Sequence, residues 1–155
     1  MLLEKVISGG QTGADRAGLI AAKRLGIRTG GWMPLGYRAL DGEHPEFAQL
    51  YSMLEMNTRE YPPRTSLNVR EAHGTLRFAT KWDSPGEVLT LKLCQKYGKP
   101  HLDLTPGSQH SADKVIDWIV TRSCGQVAGV LGKCRSSATA TEGRRCSIAM
   151  RSRTP

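Results

Sequence analysis

The sequence predicts an α/β domain, a three-layer sandwich in which a mostly parallel central sheet carries helices on both faces. Three observations point there. Short apolar runs of strand length alternate with longer segments of helical periodicity, in the order β-α-β-loop-α-β-α-β-α. Glycine is abundant, 17 of 155 residues, which suits a loop-rich α/β chain better than a helical bundle. A glycine-containing turn falls between the first strand and the first helix, where parallel sheets place their ligand loops. The length fits one domain with a single sizeable core.

Residues 2–7 form an apolar run that reads as a buried strand, and residues 14–25 read as a helix closed by Gly26. A second strand over 27–32 ends in Gly30-Gly31, followed by Trp32, Pro34 and Gly36. Residues 37–61 are poorly periodic, with turns at Asp41-Gly42 and His44-Pro45 and a short helix over 47–54. A long polar loop in a compact domain tends to serve function. Pro62 or Pro63 suits a first helical turn, and Arg64 and Asn68, four apart, then share a face. After His73-Gly74, residues 75–79 alternate as a strand.

Ser84, Pro85 and Glu87 have the spacing of a capping box opening a helix to Tyr97, with Val88, Leu89, Leu91, Leu93 and Cys94 on its apolar side. Gly98-Lys99-Pro100 ends that helix and residues 101–104 form a further strand. Ser111 caps a helix to Arg122, with Val115, Ile116, Ile119 and Val120 inward and Asp113, Lys114 and Asp117 outside. Residues 126–131 read as a final strand. Beyond them the apolar pattern is lost, so residues 1–131 are taken as the domain and 132–155 as a basic, mobile tail.

The stretch Ser8-Gly9-Gly10-Gln11-Thr12-Gly13-Ala14-Asp15 is the one with evident chemistry. A strand, a glycine turn and a helix N-terminus together present unpaired N–H groups and the positive end of a helix dipole, an arrangement suited to anions. Ser8, Gln11 and Thr12 add side-chain donors, and Arg16 adds a charge. The spacing matches neither GxGxxG nor GxxxxGK[ST], so a standard dinucleotide fingerprint or P-loop is not indicated. Gly30, Gly31 and Trp32 are expected at the same sheet edge, the last as a cover for a flat ring or as a core aromatic. Arg38 sits at the base of the irregular loop, Arg64 and Asn68 aim a charge and an amide at one ligand or at solvent, and a second helix N-terminus stands at Ser84, Gly86 and Thr90.

Other classes find little support. The net charge is +8, but residues 123–155 hold six Lys/Arg against one Glu, a net of +5, which leaves +3 for the rest. The basicity is therefore concentrated at one end, and a nucleic-acid-binding face is not expected. No run approaches the ~18 continuous apolar residues of a membrane span, and no signal peptide is visible, which makes the cytoplasm the expected compartment. Cys94, Cys124, Cys134 and Cys146 show neither CxxC nor zinc spacing, so no metal site is expected. The four histidines have no nucleophile and carboxylate at a recognisable spacing. Binding groups are plentiful and general acid–base groups are scarce, so no catalytic residue is assigned.

Residues 8–15, then Gly30-Gly31-Trp32 with Pro34 and Gly36, Arg64-Thr65 with Asn68-Val69, and His73-Gly74-Thr75-Leu76 resemble the putative molybdenum carrier family. That family sits in the Rossmann-like group that includes the LOG-type lysine decarboxylase-like proteins and DprA. The resemblance spans about residues 3–120. It implies a Rossmann-like fold, a homo-oligomer (dimer or tetramer), and a non-catalytic carrier of molybdenum cofactor, molybdate or a nucleotide-like phosphate ligand. Two departures stand out. The turn before the third main helix keeps only Gly86 and Thr90, and the last strand keeps only Val127-Ala128-Gly129. Two alternatives come with the resemblance: a LOG-like nucleoside 5′-monophosphate phosphoribohydrolase and a DprA-like nucleic-acid binder. The first needs a PGGxGTxxE element, and here Lys92 and Leu93 fall where its acidic residues would be.

Overall fold

The computed structural model describes residues 3–107, 111–122 and 127–131. It contains β1 (Lys5–Ser8), α1 (Ala14–Arg24), β2 (Arg28–Met33), β3 (Arg38–Ala39), β4 (Gly42–Glu43), α2 (Phe47–Tyr51) and β5 (Met53–Glu55). These are followed by α3 (Tyr61–Glu71), β6 (Gly74–Phe78), α4 (Pro85–Lys96), β7 (His101–Leu104), α5 (Ser111–Arg122) and β8 (Val127–Leu131). Six strands form one sheet in the order β5-β2-β1-β8-β6-β7, and every pairing in it is parallel. The expected α/β three-layer architecture is what the chain adopts.

Side-chain pattern assigns the layers. On one face Val6, Ala22, Leu76 and Val130 form a buried cluster with Val115 and Trp118, so α1 and α5 lie there. A second cluster on α1's other flank joins Leu19 to Met33, Phe47, Tyr51 and Met53, which seats α2 against the β2–β5 end. On the opposite face Val69, Leu93 and Cys94 pack with Leu89 and Tyr97, joining α3 to α4. Each helix buries one stripe, as amphipathic segments on a two-sided sheet must.

The chain first builds the half-sheet β1, β2, β5 to one side, then crosses through α3 to build β6 and β7 on the other. β8 returns to fill the centre between β1 and β6. Strand order reverses there, so the loops after β1 and β6 flank the crevice where open parallel sheets bind ligands.

Several expectations need correcting. Residues 37–61 are not one irregular loop. They fold as a small antiparallel hairpin, β3–β4, then α2, then the parallel edge strand β5. Ile116 and Val120, expected inward, are exposed, while Trp118 takes the inward position on α5. Periodicity alone misjudged that stripe because the indole reaches over Gly74, where a Cβ would lie 2.5 Å from its ring. The capping box is absent: Ser84 makes no side-chain cap bond, and Glu87 is buried against Arg77. Among the described residues no helix is long and apolar enough to cross a membrane. The proposed tail, residues 132–155, lies outside the described residues.

Candidate functional site

The site is built on the turn between β1 and α1. β1 delivers Ser8 at the sheet edge, fully buried, where its Oγ donates to the Asp15 carbonyl 3.0 Å away and so ties both ends of the turn together. The loop amides are largely answered from within. Gly10 N–H points to Ser8 Oγ at 3.4 Å, Gln11 N–H to Asp15 Oδ2 at 3.3 Å, and Thr12 N–H to Gln11 Oε1 at 3.0 Å. The expected convergence of bare amides is therefore replaced by an internal arrangement. The carboxylate of Asp15 occupies the place next to the helix N-terminus that a bound anion would take. Gly13 is the N-cap and offers no side chain, and Thr12 is half-buried beside it.

The positive charge at the loop comes from α3. Arg64, only 6% exposed, lays its guanidinium across Gly9 and donates from Nη1 to Asp15 Oδ2 at 3.1 Å. A Cβ at Gly9 would coincide with that guanidinium, so the glycine is what lets the arginine reach the loop. Both partners are buried, so the pair is sensitive to the loss of either one.

The hairpin closes the other side. Leu40 N–H donates to Gln11 Oε1 at 2.8 Å, so one amide oxygen serves both Thr12 and the hairpin. Arg16 grips Asp41 with two bonds, Nη1 to Oδ2 at 2.7 Å and Nη2 to Oδ1 at 3.0 Å. That guanidinium also lies 5.1 Å from the Phe47 ring centroid. His44 sets Nε2 2.9 Å from Asp41 and Nδ1 2.9 Å from Glu46, and stacks on Phe47. The bonds from Arg16 hold the Asp41 carboxyl far below the usual carboxylate range, against its slight desolvation. Burial pulls the His44 pKa down, but hydrogen bonds to Asp41 and Glu46 outweigh it and the net shift is upward.

Three buried side-chain N–H donors have no partner among the described residues in this region: Gln11 Nε2, Arg16 Nε and Arg64 Nε. Gln11 is 1% exposed. A buried donor without an acceptor costs roughly 1–3 kcal/mol, so three around one turn mark a local deficit of acceptors. No sequence pattern announces such a deficit, because it depends on which nitrogens the fold has already used.

The other candidates divide. Arg38 stands at the hairpin base, 6.0 Å from the Tyr61 ring centroid, and makes no salt bridge among the described residues. Gly30 and Gly31 are inside β2 rather than in a loop after it. Gly30 pairs with Ile7, and a Cβ on Gly31 (φ 122°) would overlap the Ser8 carbonyl. Asn68, fully buried, accepts from Trp32 N–H at 2.8 Å and donates to Trp32 O at 3.1 Å, supplying the backbone partner that β1 no longer provides. Its amide is committed to β2, and Trp32 Nε1 donates to Glu71.

The second helix N-terminus is built differently. Thr90 Oγ1 donates back to the Gly86 carbonyl at 2.8 Å, and Gly86 has open space where a Cβ would go. Beneath it Arg77, 2% exposed, binds both Asp103 oxygens and the Glu87 carbonyl, and faces Trp82 at 5.0 Å. No sequence signal marks this buried arginine, which sits mid-strand in an alternating run. Among the described residues no group of three His, Cys, Asp or Glu is placed to hold a metal ion, and Cys94 is a buried free thiol whose pKa burial pushes up.

The profile of the circularly permutated YpsA SLOG family matches residues 6–151. A crystal structure described as "Putative molybdenum carrier protein" from Syntrophus aciditrophicus SB is similar, with 36% sequence identity and a TM-score of 0.77. The match covers 85% of this chain and 83% of that one. No curated protein sequence matches.

Proposed function

The chain belongs to the circularly permutated YpsA SLOG family, and from that premise we propose that it is a non-catalytic protein that binds a small anionic ligand at the β1–α1 turn. The observation that carries this is the cluster of unanswered buried donors on Gln11, Arg16 and Arg64. Oxygens of a phosphate or another oxyanion are the acceptors that such N–H groups fit best.

The name of the Syntrophus relative supports molybdenum cofactor or molybdate as that ligand. The residues fit such a group through its oxygens: Arg64 and Gln11 supply N–H donors suited to a molybdate oxygen or to the cofactor's phosphate. They do not fit direct ligation of the metal, since the described residues offer no cluster of metal-binding side chains. When bound, the group would bring its own redox chemistry; the protein's part is to hold the anionic end and cover it with the β3–β4 hairpin. The hydrolytic alternative lacks its carboxylate, for Leu93 is packed in the core with Val69 and Cys94.

Calorimetric titration of purified protein with molybdenum cofactor, molybdate, inorganic phosphate and AMP tests the proposal. Saturable binding of the cofactor or molybdate that Arg64→Gln weakens at least tenfold is expected, equivalent to about 1.4 kcal/mol. Absence of binding for all four ligands would overturn it, and release of adenine from AMP would restore the hydrolase.

A further inference from the structure

Two arginines from separate elements meet at one tyrosine. The Arg64 guanidinium lies 5.7 Å from the Tyr61 ring centroid and that of Arg38 lies 6.0 Å from it. A ring face attracts guanidinium groups through its quadrupole, so Tyr61 holds together two cations that would otherwise repel. The charges are not equally satisfied. Arg64 is offset by Asp15 and keeps a buried, unanswered Nε, whereas Arg38 is exposed and has no carboxylate partner among the described residues.

Arg38 stands on the hairpin that already touches the glycine turn through Leu40. The loop at Gln11 and the Arg38–Tyr61–Arg64 group are therefore neighbours joined through Arg64, with Gln11 and Arg64 buried and Arg38 exposed at the rim. Asp15 neutralises one cationic charge there and leaves another uncompensated.

We propose that this group is a second anion subsite next to the one at the glycine turn, and that the ligand carries two linked anionic groups, such as a diphosphate or a phosphate joined to a second oxyanion. Arg64 Nε and Gln11 Nε2 receive the first group and Arg38 the second, while Tyr61 fixes the spacing. This rests on the anion-binding function proposed above and narrows its ligand class.

The experiment is calorimetry of the full chain with inorganic phosphate and with pyrophosphate, for the wild type, Arg38→Gln and Arg38→Lys. Wild-type protein is expected to bind pyrophosphate at least tenfold more tightly than phosphate. Arg38→Gln should cut that ratio at least tenfold, and Arg38→Lys, which keeps the charge but loses the planar fork, should restore part of it. Phosphate binding with no gain for pyrophosphate, or a ratio that Arg38→Gln leaves as it was, overturns the second subsite alone. Failure of the wild type to bind either anion, or any of the ligands named above, overturns the underlying function as well. Circular dichroism of each variant confirms that its fold is intact.

Discussion

Replacing Arg64 with Met tests the central electrostatic feature most directly. At the observed 3.1 Å between Arg64 Nη1 and Asp15 Oδ2, Coulomb attraction at an effective dielectric of ~20 is about 5 kcal/mol, most of it offset by the cost of desolvating both ions. Removing only the cation forfeits the attraction but leaves the Asp15 carboxylate buried, so Arg64→Met should destabilise the fold by about 3–5 kcal/mol. That is a third or more of the stability of many domains. Asp15→Asn strands the opposite charge and should cost a similar amount. The double variant removes both charges and keeps an oxygen for the Gln11 amide, so it should recover most of the loss. Urea unfolding followed by tryptophan fluorescence reads each value. Added pyrophosphate gives a second reading, because an external anion can replace the missing carboxylate. Asp15→Asn should gain about 2.7 kcal/mol at one hundred times the dissociation constant, with tighter binding than the wild type. Single-variant losses that simply add in the double variant, or Arg64→Met as stable as the wild type, would refute the reasoning.

Other outcomes follow from the same structure. Asn68→Ala removes both hydrogen bonds to the Trp32 backbone and leaves buried polar groups unanswered, so a loss of about 2–4 kcal/mol is expected by denaturant unfolding. Gly31→Ala should lower stability sharply, since its Cβ would meet the Ser8 backbone at φ 122°. Gly86→Ala, in open space within α4, should raise it by about 0.5–1 kcal/mol in the same assay. The pKa of His44 is raised in the fold, so the folded state holds its proton more tightly than the unfolded chain. Its contribution is fully present below about 6.5 and is lost as pH rises through the folded value. The protection factors of residues 38–43, taken relative to the intrinsic base-catalysed exchange rate at each pH, should therefore fall across that window, and His44→Gln should flatten that fall.

The alternation of strands and helices was legible because each main helix has an apolar stripe and each inner strand an apolar run. β7 matches the expected bounds, and α1 and α5 each differ by a residue at one end. What escaped the sequence shares a physical cause. β5 has three residues and two of them are exposed, so it leaves no periodic signal and exists only because β2 offers it an edge. Ser8-Gly9-Gly10 identified the turn, but Asp15 as its internal counter-ion could not be read, because an acidic residue in a first helical turn is ordinarily on the surface. The same holds for Arg64, whose burial follows from the missing side chain at Gly9, 55 positions earlier. Asn68 stands out in the sequence by its type and spacing, yet its role is set by where β1 stops.

The position of β8 bears on synthesis. Lys5, Val6, Ile7 and Ser8 on one side, and residues 74–77 on the other, find their central partner only in residues 127–131. Until that segment leaves the ribosome, the nascent chain holds two half-built sheets, each with a raw inner border able to zip onto a neighbouring polypeptide. A frameshift or early stop ahead of Val127 would thus yield a sticky intermediate and not a shortened working protein, and a chaperone that shields those borders would raise its yield more than that of a chain whose middle strand is made first.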